Sequence, residues 1–307
     1  MRTSRLAFSA VTIAALIGAA CSDTGTTATT DQIRVQAAYE QQTGFTDNDF
    51  GDLGAVGTTP VSPSFSSFLS SGLAETAIAP LFWGRMRAVP GGPRPVFRRD
   101  IVVQGDSAWV TRTVDFQGIF LVDTSTDGVF NPTSKPLADG VRQRAVFVRD
   151  PSAQHGWKLA ALTLLDWQNT ALDRRTVQIT SVAVYQNGAL LLQVDNPDSL
   201  IEVDANIPKF HEDDTVKVVA HVENTTGGSY SPTTFAFLHV RHADPSGIRW
   251  RRVQMTDDGN GDFERRWIVR HTGRDRFVID ALDAATLVLG TGDNYRANEW
   301  GIPYRVE

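Results

Sequence analysis

The segment VVQGDSAWVT, residues 102–111, contains a Gly-Asp-Ser triplet of the kind that holds the nucleophile in some hydrolases. A nucleophilic serine needs a base and an oxyanion hole, and it usually lies at a turn from a strand into a helix. Here apolar residues flank the triplet on both sides, and glycine adopts the positive φ of tight hairpin turns. The one histidine before residue 200, His155, lies in a separate turn-like segment. We therefore interpret Ser107 as part of a hairpin turn.

Two acidic loops are candidates for calcium binding, because calcium prefers oxygen ligands from flexible loops. DTSTDG offers Asp123 and Asp127, although it lacks the glutamate that completes a helix-loop-helix calcium site. DDGNGD offers Asp258, Asn260 and Asp262 at alternate positions. Acidic, glycine-rich hairpin turns have the same composition without a metal. We expect no cofactor, and calcium in these loops is the alternative.

Histidine and cysteine do not form a metal-binding pattern. His239 and His242 are three residues apart, which places them on opposite faces of a strand. Because Cys21 is the only cysteine, neither a multi-thiolate zinc site nor an internal disulfide is expected.

Arginine is concentrated in two predicted strands on either side of the DDGNGD turn. If these strands pair across the turn, Trp250, Arg252, Arg265 and Trp267 form one cationic and aromatic face. Such a face suits anionic glycans, lipid headgroups or an acidic protein. A solvated strand surface, balanced by nearby acidic residues, is the simpler interpretation and the one we favour. The four residues are still the best binding candidates in the sequence.

The N-terminal segment has the composition of a secretory signal. Two arginines precede an apolar run from Leu6 to Ala20 that ends in small residues, and the run is shorter than the roughly 20 residues of a membrane-spanning helix. LIGAAC resembles the bacterial lipoprotein signal, in which the cysteine is lipidated and becomes the N-terminus. This resemblance implies a signal peptide over residues 1–20, a lipid on Cys21 and a cell-envelope location. Ser22 after the cysteine implies the outer membrane or the cell surface.

The overall charge excludes one class of partner. The chain has 29 Lys plus Arg against 35 Asp plus Glu, and removal of Arg2 and Arg5 with the signal peptide leaves 27 against 35, or −8. Nucleic-acid binding requires a basic footprint that this balance does not supply. The expected partners are the membrane, through the lipid, and an unidentified envelope protein or glycan.

The first half of the mature chain predicts a tether and an α+β domain. Residues 21–63 are rich in Thr, Gly and Asp, which predicts a flexible tether with a short helical stretch around IRVQAAYEQQ. Residues 64–86 space apolar side chains with helical period up to a break at Pro80. VFRRDIVVQG, SAWVTRTVDFQGIFLVD, VRQRAVFVRD and WKLAALTLLDWQ alternate with period two, as strands do. We predict a helix packed on a curved antiparallel sheet over residues 64–172.

This order of elements, with GDSAWV and RQRAVFVRD…HGWKLAALT, resembles the nuclear transport factor two-like superfamily over residues 64–168. The resemblance implies a curved sheet around a polar pocket, which some members use in catalysis while others only bind or assemble. Asp115 and Asp166 are the acidic residues that such a pocket would contain, and solvated strand ends are the alternative for both.

Residues 173–307 predict an all-β sandwich. Asn187-Gly188 between apolar runs is a strong hairpin signal, and more strand-length runs follow at short intervals. MTDDGNGDF…W and GRDRFVIDALDAATL resemble bacterial immunoglobulin-like domains, which implies a sandwich, here without a disulfide. Trp300 and Tyr304 are expected to pack back onto it.

Together these patterns predict a non-catalytic cell-envelope lipoprotein that serves as a surface binding, adhesion or assembly module. The alternative is a small-ligand-binding protein or enzyme that uses a pocket in residues 64–172. A polar, water-accessible cavity inside that sheet, with ionisable groups converging on it, would distinguish the two.

Overall fold

The computed structural model describes residues 28–46, 82–124, 131–228, 230, 233–244, 247–289, 292 and 294–307. Of these residues, 59% lie in strands and 10% in helices. The predicted α+β class, with a helix packed on a curved sheet, is therefore wrong, because the described chain is mostly β. The predicted signal peptide, Cys21 and most of the predicted helix over 64–86 lie outside the described residues.

The end of that predicted helix is a strand. Phe82–Met86 pairs antiparallel with Ile119–Asp123. Trp83, Gly84 and Arg85 are all buried, between the half-buried Phe82 and Met86, so pairing with Ile119–Asp123, rather than alternating burial, identifies this segment as a strand. Strand pairing at residues 82–86 therefore replaces the end of the predicted helix.

The described chain contains seventeen strands and a few short helices. The strands are β1 Phe82–Met86, β2 Val96–Gln104, β3 Ser107–Asp123, β4 Thr133–Arg149, β5 Trp157–Leu162, β6 Leu165–Asn169, β7 Val177–Gln186, β8 Ala189–Val194, β9 Ile201–Glu202, β10 Lys209–Phe210, β11 Thr215–Asn224, β12 Thr234–Asp244, β13 Gly247–Gln254, β14 Thr256–Asp257, β15 Asp262–Ile268, β16 Gly273–Asp283 and β17 Ala297–Val306. The helices are α1 Thr30–Glu40, α2 Thr43–Thr46 and α3 Ala284–Val288, with a 3₁₀ turn at Leu172–Arg174.

Twelve strands form one curled sheet, whose main path is β1-β3-β4-β6-β17-β16-β12-β13. Apart from the parallel pair β10–β17, its strands pair antiparallel. The two ends of the path come together, because Arg252 on β13 donates to the Trp83 carbonyl on β1 at 2.9 Å. The Arg252 guanidinium also lies 3.4 Å from the centre of the Trp83 ring. The sheet therefore encloses an interior. Its strand β17 pairs with β6 on one side and β16 on the other, so the sheet contains strands from both sides of the predicted domain boundary at residues 172–173.

The other five strands form a second antiparallel sheet, in the order β14-β15-β11-β7-β8. It packs on the outer face of the curled sheet, as in a β-sandwich, and Trp267 lies 5.1 Å from Phe277 and 6.5 Å from Tyr304 between ring centres. Trp300 and Tyr304 are buried, which confirms that the C-terminal segment packs onto the sheets.

Both predicted hairpins are confirmed. Gln104, the last residue of β2, pairs with Ser107, the first residue of β3, and Gly105 between them has φ +60°. Asn187 and Gly188 have φ 52° and 83° between β7 and β8, as a type I′ turn requires. Ser107 is thus the first residue of a strand after a tight turn.

The predicted helical stretch within residues 21–63 is confirmed as α1. Thr29 and Gln32 form a capping box at its start. Its buried residues Val35, Ala38 and Tyr39 belong to the main hydrophobic core, where the helix contacts β2 and β5. This part of the predicted tether is therefore integrated into the folded body.

Gly118 tests the close contact between β1 and β3. A Cβ atom at this position would collide with the carbonyl oxygen of Met86, so Gly118→Ala should lower the free energy of unfolding by roughly 1–3 kcal/mol. Urea denaturation measures the loss. Gly228→Ala is the control, because the nearest atom to its new Cβ is 3.8 Å away. Equal stability of the two variants would contradict this close approach.

Candidate functional site

Ionisable side chains from five strands meet in the interior of the curled sheet. They are Arg85 on β1, Asp139 on β4, His239 on β12, Asp280 on β16 and Glu299 on β17, and each is at most 2% exposed. We call these five residues the interior ion cluster. Burying charges is costly unless they are paired and hydrogen-bonded, so the contacts of each decide what the cluster does.

Arg85 is the centre of the cluster. It donates from Nη1 and Nη2 to the two carboxylate oxygens of Asp280, at 2.6 and 2.8 Å. Its Nε donates to the Tyr295 hydroxyl at 2.7 Å, and Nη2 lies 3.3 Å from Glu299 Oε1. The planar guanidinium fork matches a carboxylate in this bidentate geometry, which a lysine could not reproduce.

The remaining members extend this network. The Tyr295 hydroxyl donates to Asp139 Oδ2 at 2.8 Å, and Asn169 donates to the other oxygen of Asp139 at 3.2 Å. Arg87 donates to Glu299 Oε1 at 2.5 Å. His239 Nε2 lies 3.3 Å from Asp280 Oδ2. Each carboxylate of the cluster therefore has a cationic or hydroxyl partner.

Two groups in this network are held in one protonation state at neutral pH. Burial raises the pKa of Asp280, but the charge and hydrogen bonds of Arg85, helped by His239, outweigh burial and bring the pKa below its ordinary value. Burial raises the pKa of Tyr295 well above 10. General acid–base catalysis works best with a pKa near the working pH, and these two groups do not meet that condition.

Aromatic side chains fill the space around the cluster. Trp83 stacks on Phe120 at 5.7 Å between ring centres, and Phe116 stacks on Trp167 at 5.1 Å. The Arg87 guanidinium lies 4.0 Å from the centre of the Trp167 ring. The arrangement cross-links β1 to the opposite wall of the curl and leaves its charged groups shielded from water.

A polar cleft lies elsewhere, where the second sheet meets the outer face of the curled sheet. Its volume is about 260 Å³. The side chains around it come from β6, β7, β17 and the segment after β8, and they are Gln168, Gln178, Ile179, Thr180, Asp195, Asn196, Pro197, Asn298 and Trp300. We call this the junction cleft. Six of its nine lining residues have amide, hydroxyl or carboxylate side chains.

Asp166 lies beside the junction cleft and is bonded to two of its lining amides. Gln168 donates to Asp166 Oδ2 at 2.6 Å, and Asn298 donates to Oδ1 at 3.2 Å. Burial raises the pKa of Asp166 to about 6, against the lowering effect of these hydrogen bonds. Of the two acidic residues suggested for a pocket, Asp166 is therefore in a perturbed environment, whereas Asp115 forms an exposed ion pair with Arg98.

The four predicted binding residues are divided between the two sheets. Trp250 and Arg252 lie on β13, which pairs with β12, and Arg265 and Trp267 lie on β15, which pairs with β11 and β14. Trp267 is in the core between the sheets, and Arg252 closes the curl against Trp83. The structure does not bring the four into one face, and their binding role stays a prediction.

Three of the five predicted calcium ligands have partners within the protein. Asp123 is buried and accepts from the Asn131 backbone N–H at 3.0 Å, while Asp127 lies outside the described residues. Asp258 accepts from the backbone of Asn260 at 2.9 Å, and Asp262 lies 2.7 Å from His221 Nδ1. Within the described part of the chain, no group of three acidic, histidine or cysteine side chains is arranged to hold a metal.

Comparison with known proteins adds no relative. No family model, curated protein or solved structure matches the chain. The resemblances drawn from the sequence therefore stay predictions. Within the segments that the structure describes, no helix is long and apolar enough to cross a membrane.

The interior ion cluster makes Arg85 a strong test of stability. Arg85→Met leaves Asp280 buried without its bidentate partner, and removal of one partner of a buried pair costs roughly 3–5 kcal/mol. Chemical denaturation at pH 7 measures this loss. Arg98→Met is the matched control, because Arg98 and its partner Asp115 have side chains that are 63% and 40% exposed. Similar losses in both variants would contradict the importance of burial.

The contribution of Asp280 to stability should depend on pH with opposite sign in the Arg85→Met variant. In the wild type, the lowered pKa of Asp280 adds stability above the unfolded value of 3.8, which is lost at lower pH. Without Arg85, burial raises the pKa of Asp280, so the folded variant takes up a proton as pH falls. The difference in unfolding free energy between wild type and Arg85→Met should therefore become smaller as pH is lowered from 7 to 4. A constant deficit would argue against a buried, ionised Asp280.

Asp166 should add a second pH-dependent contribution. Its pKa of about 6 exceeds the ordinary 3.8, so its contribution to stability is fully present below pH 3.8 and is lost as pH rises through 6. Asp166→Asn removes this contribution and should change the slope of unfolding free energy against pH between 4 and 6. Asp204→Asn is the control, because Lys158 lowers the pKa of Asp204. A carboxyl ¹³C titration of Asp166 with a midpoint near 4 would contradict the raised pKa.

Proposed function

We propose that this protein is a non-catalytic cell-envelope lipoprotein, held at a membrane by a lipid on Cys21, and that its β-rich body is a surface binding or assembly module. The proposed location rests on the charged N-terminal residues, the apolar run and the cysteine that follows this run. The choice of a binding module over an enzyme rests on the interior of the curled sheet.

That interior is the observation that carries the proposal. A catalytic pocket inside a curved sheet needs water-accessible, ionisable groups that converge on open space. Here the converging groups are at most 2% exposed, are bonded to one another, and are surrounded by stacked aromatic rings. This arrangement fits a structural cross-link, which leaves the outer surfaces for partners.

A second candidate function is the binding of a small ligand on the outside of the curled sheet. The junction cleft favours it, because its polar lining converges on a volume of about 260 Å³. The raised pKa of Asp166 beside it marks a partly desolvated carboxyl, and perturbed groups concentrate at functional sites. This candidate is compatible with the first, since a surface module acts by binding.

The lipid anchor can be tested by replacing its thiol. Cys21→Ser should abolish incorporation of a labelled fatty acid and should move the protein from the membrane fraction to the soluble fraction. The physical reason is that each buried methylene of an acyl chain contributes about 0.8 kcal/mol of membrane binding. Metabolic labelling and fractionation of bacterial cells that express the full chain measure both effects.

Ser22→Ala is the matched control, because it changes the adjacent residue and keeps the thiol. It should be lipidated and membrane-bound like the wild type. Recovery of the wild-type chain from the cytosol, with its N-terminal segment intact and Cys21 unmodified, would refute the proposed location.

A further inference from the structure

One wall of the junction cleft is fixed by bonds to the curled sheet. The Pro197 carbonyl accepts the backbone N–H of Leu164 at 3.1 Å. Arg144 donates to the Asp198 carbonyl at 2.9 Å, and its guanidinium lies 3.1 Å from the Asp198 carboxylate. The Asp198 N–H in turn donates to Asn196 Oδ1 at 2.9 Å. The wall is therefore preorganised, which lowers the entropic cost of binding a ligand.

The floor of the cleft is fixed from the opposite side. Asn298 accepts the Ile179 N–H at 2.8 Å and donates to the Trp167 carbonyl at 2.8 Å. Its amide is thus held between the two sheets, next to Asp166 and Gln168. On the open side, the side chains of Gln178 and Asp195 are exposed to solvent. The cleft combines a rigid floor with polar groups that a ligand can reach.

The donor and acceptor pattern of the lining suits a polyhydroxylated ligand. Asn298 uses both N–H donors within the protein, and the Thr180 hydroxyl donates to the His221 carbonyl. Gln168 and Gln178 each use one of two N–H donors, to Asp166 and to the Arg175 carbonyl, so each amide keeps one N–H for a ligand. The Asp195 carboxylate and the Thr180 oxygen can accept. Sugar hydroxyls also donate and accept, so they pair with this mixture and leave few buried groups unsatisfied. Pro197, which is half-buried, supplies apolar lining that the C–H groups of a ring can contact.

The charge of the lining and the volume of the junction cleft narrow the class of ligand further. The only charged side chain in the lining is Asp195, and Asp166 lies directly behind two lining amides, so phosphorylated or carboxylated sugars are disfavoured. The volume of about 260 Å³ is below the roughly 300–1,000 Å³ of sites for drug-sized ligands. We infer that the junction cleft binds a single uncharged saccharide ring, such as the end of a neutral glycan. This inference rests on the proposed function as a surface binding module.

Saturation-transfer NMR on the purified full-length chain tests the inference. The probes are the methyl glycosides of glucose, galactose and N-acetylglucosamine, with N-acetylneuraminic acid and arginine amide as charged comparisons. At least one neutral glycoside should bind, and neither charged probe should bind as tightly. Asp195→Ala and Gln178→Ala should each weaken binding roughly fivefold, as expected for the loss of one hydrogen bond.

Two control variants test whether a loss of glycoside binding is specific to the junction cleft. Gln193→Ala removes an exposed amide from the neighbouring strand β8, and Glu212→Gln removes an exposed carboxylate outside the cleft; both should bind like the wild type. Absence of glycoside binding, binding unchanged in the Asp195 and Gln178 variants, or tighter binding of arginine amide would each overturn the inference.

The proposed function and this inference fail separately. A membrane-bound, lipidated chain that binds no neutral glycoside would overturn the assignment of the cleft alone. A cytosolic, unlipidated chain that binds one through Asp195 and Gln178 would overturn the envelope location alone.

Discussion

The bidentate pair between Arg85 and Asp280 is the interaction on which the curled sheet depends. Arg85 lies on the first strand of the sheet path and Asp280 lies on β16, five strands further along it. A flat sheet would keep these strands far apart, since neighbouring strands are roughly 4.8 Å apart. The pair can form only when the sheet curls, and once it forms, any flattening would expose a buried carboxylate without its partner. The interaction therefore specifies curvature as well as adding stability.

The same pairing is the reason we propose binding on the outer surfaces of the protein. Arg85, Arg87 and Tyr295 direct their donors to Asp280, Glu299 and Asp139, so the ionisable groups of the interior are committed to one another. Trp83 and Phe120 fill the adjacent space. A ligand could enter only by breaking buried ion pairs, at a cost of several kcal/mol. Clefts between the two sheets carry no such cost.

Local signals in the sequence predicted local structure well. Period-two alternation located the long strands, Asn187-Gly188 and the turn before Ser107 located hairpins, and the helical stretch near residue 35 is α1. The fold class was wrong because residues 82–86 carry too few alternating positions to reveal a strand, and two of its inward positions are a tryptophan and an arginine. An inward arginine cannot be distinguished from a solvated one until its partner is known.

The sites were harder to predict, because their members are far apart in the chain. Arg85, Asp139, Asp280 and Glu299 meet only through strand pairing across as many as 214 residues. One signal was available: Asp280 interrupts the apolar run FVIDAL, and in the structure every residue of β16 from Asp275 to Asp283 is buried. A charged residue in such a run must have a buried partner. The patch of Trp250, Arg252, Arg265 and Trp267 assumed that β13 and β15 pair directly, whereas each belongs to a different sheet.

The last strand connects the two polar regions of the molecule. β17 pairs with β6 on one side and with β16 on the other, and its adjacent residues Asn298 and Glu299 point to opposite faces, as alternation in a strand requires. Glu299 joins the interior ion cluster, while Asn298 forms the floor of the junction cleft. A shift of one residue in the register of β17 would exchange these faces and place a carboxylate against the second sheet. The ion pairs inside the curl therefore fix the register that positions the amide of Asn298 outside it.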